Sequence, residues 1–254
     1  SKKFNLIKII SKRNMNKKNK NIKKKFESNK FNLIIITSPV TSHYKYLRYA
    51  IKNKKNIIVE KPLVENFNEL KKIYKLNINF KQKIMIHHND VLNFEKLNFM
   101  NEFSDYKEIK KINMFYGKKE IVNSYKKPFF DWLPHPLSII INFFGEPKKF
   151  EILNYKKKIK NNIVLEDLRI VFYLRYFKIF LNFSNNLKKP SKKIIVYKKN
   201  KIKIYDGYDK KNQRSIKLLL EKFYKMNKIN DISSNLRVYK LLFKIEKLLL
   251  KKTI

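Results

Sequence analysis

The sequence predicts an α/β fold, with an N-terminal parallel sheet followed by an α+β half whose sheet is mainly antiparallel. Three observations carry that prediction. FNLIIIT at 31–37 and NIIVE at 56–60 have the unbroken hydrophobicity of strands covered on both faces. Helical patterns separate such runs at short intervals from residue 4 to residue 88, the rhythm of right-handed β-α-β units. Beyond residue 88 long strand patterns take over, with a hairpin signal between the last two. The 254 residues suffice for two modest domains with real cores. The join is expected between 84 and 90, giving domains 1–86 and 87–254.

Each element has its own reason. FNLIKII at 4–10 reads as a short strand, and the lysine-rich segment after it as a loop. After the strand at 31–37, Ser42 is placed to cap a helix running to about Asn53, with Tyr46, Leu47 and Ala50 facing inward. After NIIVE, Asn66 and Glu69 have capping-box spacing, and Phe67, Leu70, Ile73 and Tyr74 form an apolar stripe. KIMIHH at 83–88 is a third strand. A helix is expected over Leu92–Phe103, a strand over Ile109–Tyr116 and a helix over Pro136–Phe144, closed by Gly145. Five strand patterns follow, with Lys199-Asn200 as the hairpin turn. Val238, Leu241, Leu242, Ile245, Leu248 and Leu249 then mark an amphipathic helix behind Ser234 as its cap.

Composition narrows the function classes. No apolar run approaches the ~18 residues a membrane helix needs, and no signal peptide is visible, so a cytoplasmic address and no membrane partner are expected. Cysteine is absent, which excludes disulfides, thiolate metal sites and a cysteine nucleophile. His87 and His88 do not make a chelating pair, since adjacent strand residues face opposite ways; no metal is expected. The formal charge is +41, which suggests a polyanion partner. However, Lys, Asn, Ile, Phe and Tyr are inflated together and the lysines are spread along the whole chain. An A/T-rich coding background produces the same profile, so no specific nucleic-acid partner is expected.

Three motifs bear chemistry. NLIIITSPVTSH ends a strand in Ser38-Pro39 and places His43 shortly after. NIIVEKPL ends a strand in Glu60-Lys61-Pro62. DWLPHPLS sets Asp131 four residues before His135, a spacing that shares a face if the segment is helical. Ligands of open parallel sheets sit beyond the carboxyl ends of the strands, where Ser38, Pro39 and Lys61 fall. A histidine suits proton transfer near neutral pH.

In order and spacing these motifs resemble the Gfo/Idh/MocA oxidoreductases, the glucose-fructose oxidoreductase and inositol dehydrogenase family, over nearly the whole chain. The resemblance implies a Rossmann-like first domain and hydride transfer between NAD(P) and a carbinol carbon of a sugar, polyol or nucleotide-sugar. It implies His135 as acid/base, Lys61 stabilising developing oxyanion charge or relaying the proton, and Asp131 orienting the substrate or His135. Cofactor contacts would come from Ser11, Arg13, Thr37, Ser38, Pro39, His43, Glu60, Lys61 and Pro62, and substrate contacts from His88, Asn89, Asp131 and His135. Ser11, Lys12 and Arg13 offer a hydroxyl and cations for a 2′-phosphate, which leans toward NADP. A homo-oligomer through the C-terminal sheet would suit the family.

Two features depart from the family pattern. The glycines stand only at 117, 145 and 207, so the chain has no Gly-x-Gly-x-x-Gly phosphate loop; FNLIKII corresponds to the family's second strand, and the Rossmann-like domain is expected to be incomplete. Ser138 stands where many relatives carry a further Asp. Two rival readings are therefore an N-terminally truncated or eroded inactive homologue and a basic nucleic-acid-binding protein.

Overall fold

NIIVE forms the middle strand of the first sheet. The computed structural model describes residues 30–77, 82–96, 105–119, 128–161, 163–208, 215–226 and 231–252. Three strands run in the order β1 (Leu33–Ile36), β2 (Asn56–Glu60) and β3 (Ile84–His87). β1 and β2 are parallel, with Ile36 beside Val59. Ile57, Ile58 and Val59 are almost wholly buried, so both faces of β2 are covered, and each such side chain contributes about 1.5–3 kcal/mol. β1 departs from the expectation of burial on both faces: Ile36 is buried but Ile35 is 51% exposed. The strand expected at 4–10 lies outside the described residues, as do Ser11 and Arg13.

The helices of this unit follow their sequence signals with local differences. α1 (His43–Lys52) buries Leu47 and Ala50 and half-buries Tyr46. Ser42 makes no side-chain cap. A 3-10 turn at Val40–Ser42 precedes the helix, and the Ser42 hydroxyl turns back to lie 2.8 Å from the Pro39 carbonyl oxygen and 2.7 Å from Ser38 Oγ. At α2 (Phe67–Asn77), Asn66 Oδ1 accepts the Glu69 N–H at 3.0 Å. Glu69 in turn accepts from the Glu65 N–H at 3.1 Å, one residue further back than a capping box requires. Leu70 and Ile73 are buried, whereas Phe67 and Tyr74 are exposed, so only half of the expected stripe packs.

The described chain divides into compact units at Ile86/His87. The second unit opens with α3 (Asn89–Lys96), three residues earlier than expected, and β4 (Ile109–Gly117). Two short helices follow, α4 (Pro128–Trp132) and α5 (Pro134–Ile139). Pro134 and Pro136 fall in the first turn of α5, where a missing N–H is harmless. α5 loosens into a π-turn at Ile140–Phe144, which ends at Gly145 with φ 85°.

Strands β5 (Lys149–Lys160), β6 (Ile163–Tyr173), β7 (Lys178–Ser184), β8 (Ser191–Lys198) and β9 (Ile202–Asp206) join β4 in the order β5-β6-β7-β4-β8-β9. Only β4–β7 is parallel. Ile112, Met114, Ile170, Phe172, Ile179, Leu181, Ile194 and Val196 alternate along these strands and are buried, forming one packed face.

α6 (Ser215–Lys225) adds to the elements read from sequence. α7 (Asp231–Lys252) begins three residues before Ser234. Its buried line follows Val238, Leu242, Ile245 and Leu249, with Leu241 beside it, and leaves Leu248 41% exposed.

Candidate functional site

In the first unit the parallel strands β1 and β2 release their loops at the same end of the sheet, and His43 ties those loops together. Its ring is 1% exposed. Nδ1 lies 2.8 Å from the Pro62 carbonyl oxygen and Nε2 2.6 Å from the Ser38 carbonyl oxygen. His43 is thus a brace between the loop after β1 and the loop after β2, set by its place at the start of α1. Ser38 is half-buried beside the Ser42 hydroxyl, and Thr37 and Pro39 are exposed on the same loop. Glu60 is the last residue of β2, Lys61 is half-buried just beyond it, and the Lys61–Pro62 peptide bond is cis. Thr37, Ser38 and Lys61 therefore all stand at carboxyl ends of parallel strands, where a ligand of an open α/β sheet sits.

In the second unit the chemistry gathers around a buried carboxylate that motif reading did not single out. Asp90 lies in the first turn of α3 and is 1% exposed. α3 packs against α5, and His135 Nδ1 lies 3.1 Å from Asp90 Oδ2. That contact is an ion pair by distance, not a well-directed hydrogen bond. From β8, Lys192 Nζ donates to Asp90 Oδ1 at 3.1 Å. Burial alone would raise the Asp90 carboxyl, but the attraction of His135, and the charge and hydrogen bond of Lys192, override it and hold it well below the usual carboxylate range.

Aromatic rings close the cluster. The Trp132 ring centroid is 5.9 Å from that of His135, and Lys118 and Lys192 each lie 5.8 Å from the Trp132 centroid. Tyr116 is 1% exposed, and burial, then the charge of Asp90, pushes its phenol up.

The other expected site residues separate. Asp131 is exposed on α4, although helical hydrogen bonds continue through Leu133, whose N–H reaches the Phe129 carbonyl at 2.7 Å and whose carbonyl accepts the Leu137 N–H at 3.0 Å. The carboxylate that reaches His135 Nδ1 is that of Asp90, which lies far away in the chain. His88 is 3% exposed with its ring centroid 5.9 Å from that of Tyr239, and Asn89 is half-buried as the first residue of α3. Asp90 had one sequence signal, its place directly behind Asn89 at a strand end. Lys192 had none among 61 Lys and Arg. Among the described residues no group of three or more His, Asp or Glu is placed to hold a metal ion, and no helix is long and apolar enough to cross a membrane.

A nicotinamide dinucleotide is the group this fold implies, and the described residues beyond the parallel strands offer polar groups to one. Thr37 and Ser38 supply hydroxyls, and Lys61 a cation, beyond parallel strands. The pyrophosphate end has no glycine cradle in this sequence, since all three glycines lie in the second unit.

Residues 7–88 match the family described as "Oxidoreductase family, NAD-binding Rossmann fold", GFO_IDH_MocA. No curated protein sequence matches the chain. Among solved structures, a protein from Magnetospirillum magnetotacticum MS-1 aligns over 87% of this chain and 81% of its own at 14% identity and a TM-score of 0.72. A dehydrogenase (MviM) from Clostridium difficile aligns over 85% and 78% at 14% identity, TM-score 0.69. Biliverdin reductase from Synechocystis sp. PCC 6803, in complex with biliverdin and NADP+, aligns over 89% and 81% at 9% identity, TM-score 0.69. Identities this low speak to the fold alone. The N-terminal third of the chain is thus similar to the NAD-binding Rossmann domain of the Gfo/Idh/MocA oxidoreductases.

Proposed function

We propose that the chain is an NAD(P)-dependent oxidoreductase acting on the carbinol carbon of a sugar, polyol or nucleotide-sugar, with His135 as acid/base. The observation that carries this reading is the contact of His135 Nδ1 with the buried Asp90 carboxylate. A histidine held in this way is suited to taking a hydroxyl proton near neutral pH. The nicotinamide supplies hydride acceptance in oxidation and donation in reduction. In the oxidising direction the carbinol C–H bond breaks with its electron pair leaving as hydride. The O–H proton passes to His135, and the C–O bond becomes a carbonyl. Lys61, at the end of β2, stabilises the charge that develops on that oxygen. NADP is the proposed form, on the cations at Lys12 and Arg13, and the cytoplasm the proposed compartment.

The test is a nicotinamide-absorbance assay over sugars and polyols, run beside NADPH fluorescence titration. Wild type is expected to bind NADPH, and His135→Ala to lose about 10²–10⁴-fold in turnover while still binding it. Full turnover in His135→Ala sinks the acid/base role. No change in NADPH fluorescence with the wild-type chain at high concentration sinks cofactor binding. That result would favour the second reading, an inactive homologue.

We also propose that copies associate through the sheet face carrying Ile202 and Ile204. These are 60% and 59% exposed on β9, and they pair with Tyr197 and Ile195 of β8. Light scattering is expected to give a dimer mass for wild type and a monomer mass for Ile204→Lys. A monomeric wild type overturns this assignment.

A further inference from the structure

We infer that Asp90 is a positioning residue for His135, and that Lys192 tunes it by sharing the same carboxylate. The inference rests on the reading of His135 as the acid/base. The geometry places His135 Nδ1 3.1 Å from Asp90 Oδ2 and Lys192 Nζ 3.1 Å from Asp90 Oδ1, so each oxygen serves one partner.

A carboxylate has no proton to offer. At 3.1 Å the carboxylate favours a hydrogen on the ring nitrogen nearest it, and so favours the neutral tautomer of His135 in which Nε2 is the nitrogen that exchanges a proton. Nδ1 is buried, while the side chain as a whole is 11% exposed. Such accessibility as remains therefore lies on the rest of the side chain. Asp90 is 2% exposed and Lys192 13%, so water does little to screen either contact.

Other polar groups border these two charges. The charge of Asp90 also bears on Tyr116 of β4 and Tyr205 of β9, and burial first, then Asp90, pushes both phenols up, which keeps them neutral near neutral pH. The ring of Tyr208 lies 5.9 Å from Lys192 Nζ, and Lys118 is placed over Trp132. Lys192 has a defined berth in this cluster. Its Cβ would lie 2.9 Å from any Cβ at position 207, where the chain has glycine.

A carboxylate stabilises the imidazolium, and a cation beside that carboxylate competes for it. Two substitutions should therefore move His135 in opposite directions. His135 is one of four histidines, so its ring signals can be assigned by their loss in His135→Asn, and its titration followed by NMR in the intact chain. Asp90→Asn is expected to lower the midpoint by on the order of 1 pH unit, and Lys192→Met to raise it. The pH limb of turnover is expected to follow the ring. A residue that merely supports the fold would move neither midpoint, and substitutions that only loosen packing would move both the same way. Either result overturns the inference.

Lys192→Met keeps both Asp90 and His135, so the test survives if Asp90→Asn fails to fold. The two readings are also separable. Opposite midpoint shifts with full turnover in His135→Ala leave the positioning standing and remove the catalytic role. Unmoved midpoints with turnover lost in His135→Ala do the reverse.

Discussion

Gly117→Ala is expected to lower the unfolding temperature by on the order of 10 °C, taking about 3–5 kcal/mol of destabilisation at 2–4 °C per kcal/mol. Gly117 ends β4 with φ 143°, a conformation that L side chains rarely adopt. A Cβ built there lies 1.8 Å from the Ser184 carbonyl oxygen and 2.8 Å from its carbon. Those atoms are backbone at the end of β7, so no side-chain rotation relieves the overlap. β7 cannot easily retreat, because Ser184 is paired with Asp167 of β6 and the next residue is tied down. Asn185 donates its N–H to the Glu166 carbonyl at 3.2 Å and its side-chain NH₂ to the Val164 carbonyl at 2.7 Å. Its Oδ1 accepts the Glu166 N–H at 2.6 Å. Thermal unfolding followed by circular dichroism checks the prediction, and a wild-type melting temperature for the variant would refute it. Such a loss is large against a domain stability of about 5–15 kcal/mol.

Much of the fold was legible because strand and helix signals are local. NIIVE is continuous apolar sequence and became the buried middle strand; the 178–206 patterns alternate and became β7 to β9. Errors arose where a neighbour decides the outcome. Ile35 is as apolar as Ile58, yet Ile35 is 51% exposed on β1 while Ile58 is buried on the middle strand. Ser42 has capping chemistry, but a 3-10 turn ahead of α1 takes its hydroxyl.

The candidate site followed the same division. His135 and Lys61 were legible from short motifs. The Asp90 partnership was not, because it joins the start of α3 to α5 and no local spacing encodes that packing. Asp131, the carboxylate at helical spacing from His135, is exposed, whereas the distant Asp90 is buried against the His135 ring. Lys192 was hidden by composition: in a chain this rich in lysine, only its position over Trp132 and beside Asp90 distinguishes it. Gly117 reads in sequence as one of three scarce glycines, and its close approach to Ser184 exists only once β4 lies beside β7.

Glu166→Ala is expected to cost about 3–5 kcal/mol, and Glu166→Gln only about 1–2 kcal/mol. Glu166 is 1% exposed on β6. One oxygen accepts the Phe129 N–H at 3.1 Å and the other accepts the Tyr155 hydroxyl at 2.9 Å. Burial, followed by the Glu166 charge, pushes the Tyr155 phenol well above its ordinary range. Alanine strands the buried Phe129 N–H and takes the acceptor from the half-buried Tyr155 hydroxyl. Glutamine keeps an oxygen for Phe129 and offers its NH₂ to the Tyr155 oxygen, since a phenol accepts as well as donates. Glutamine is isosteric with glutamate and alanine is not, so the control for volume is Glu166→Met, which fills the space without an acceptor and is expected to lose nearly as much as alanine. A second readout is local. Phe129 lies in the first turn of α4, its carbonyl receives the Leu133 N–H at 2.7 Å, and α4 ends in the chain's single tryptophan, Trp132. Releasing Phe129 should loosen α4 and expose Trp132, which is 6% exposed in the intact fold. Its emission is expected to shift to the red in Glu166→Ala and to stay near wild type in Glu166→Gln. Equal emission and equal melting temperatures for both variants would show that Glu166 does not anchor α4. A red shift in the alanine variant alone would place the support of the His135 segment on β6, at the strand end whose other neighbour, β7, meets Gly117.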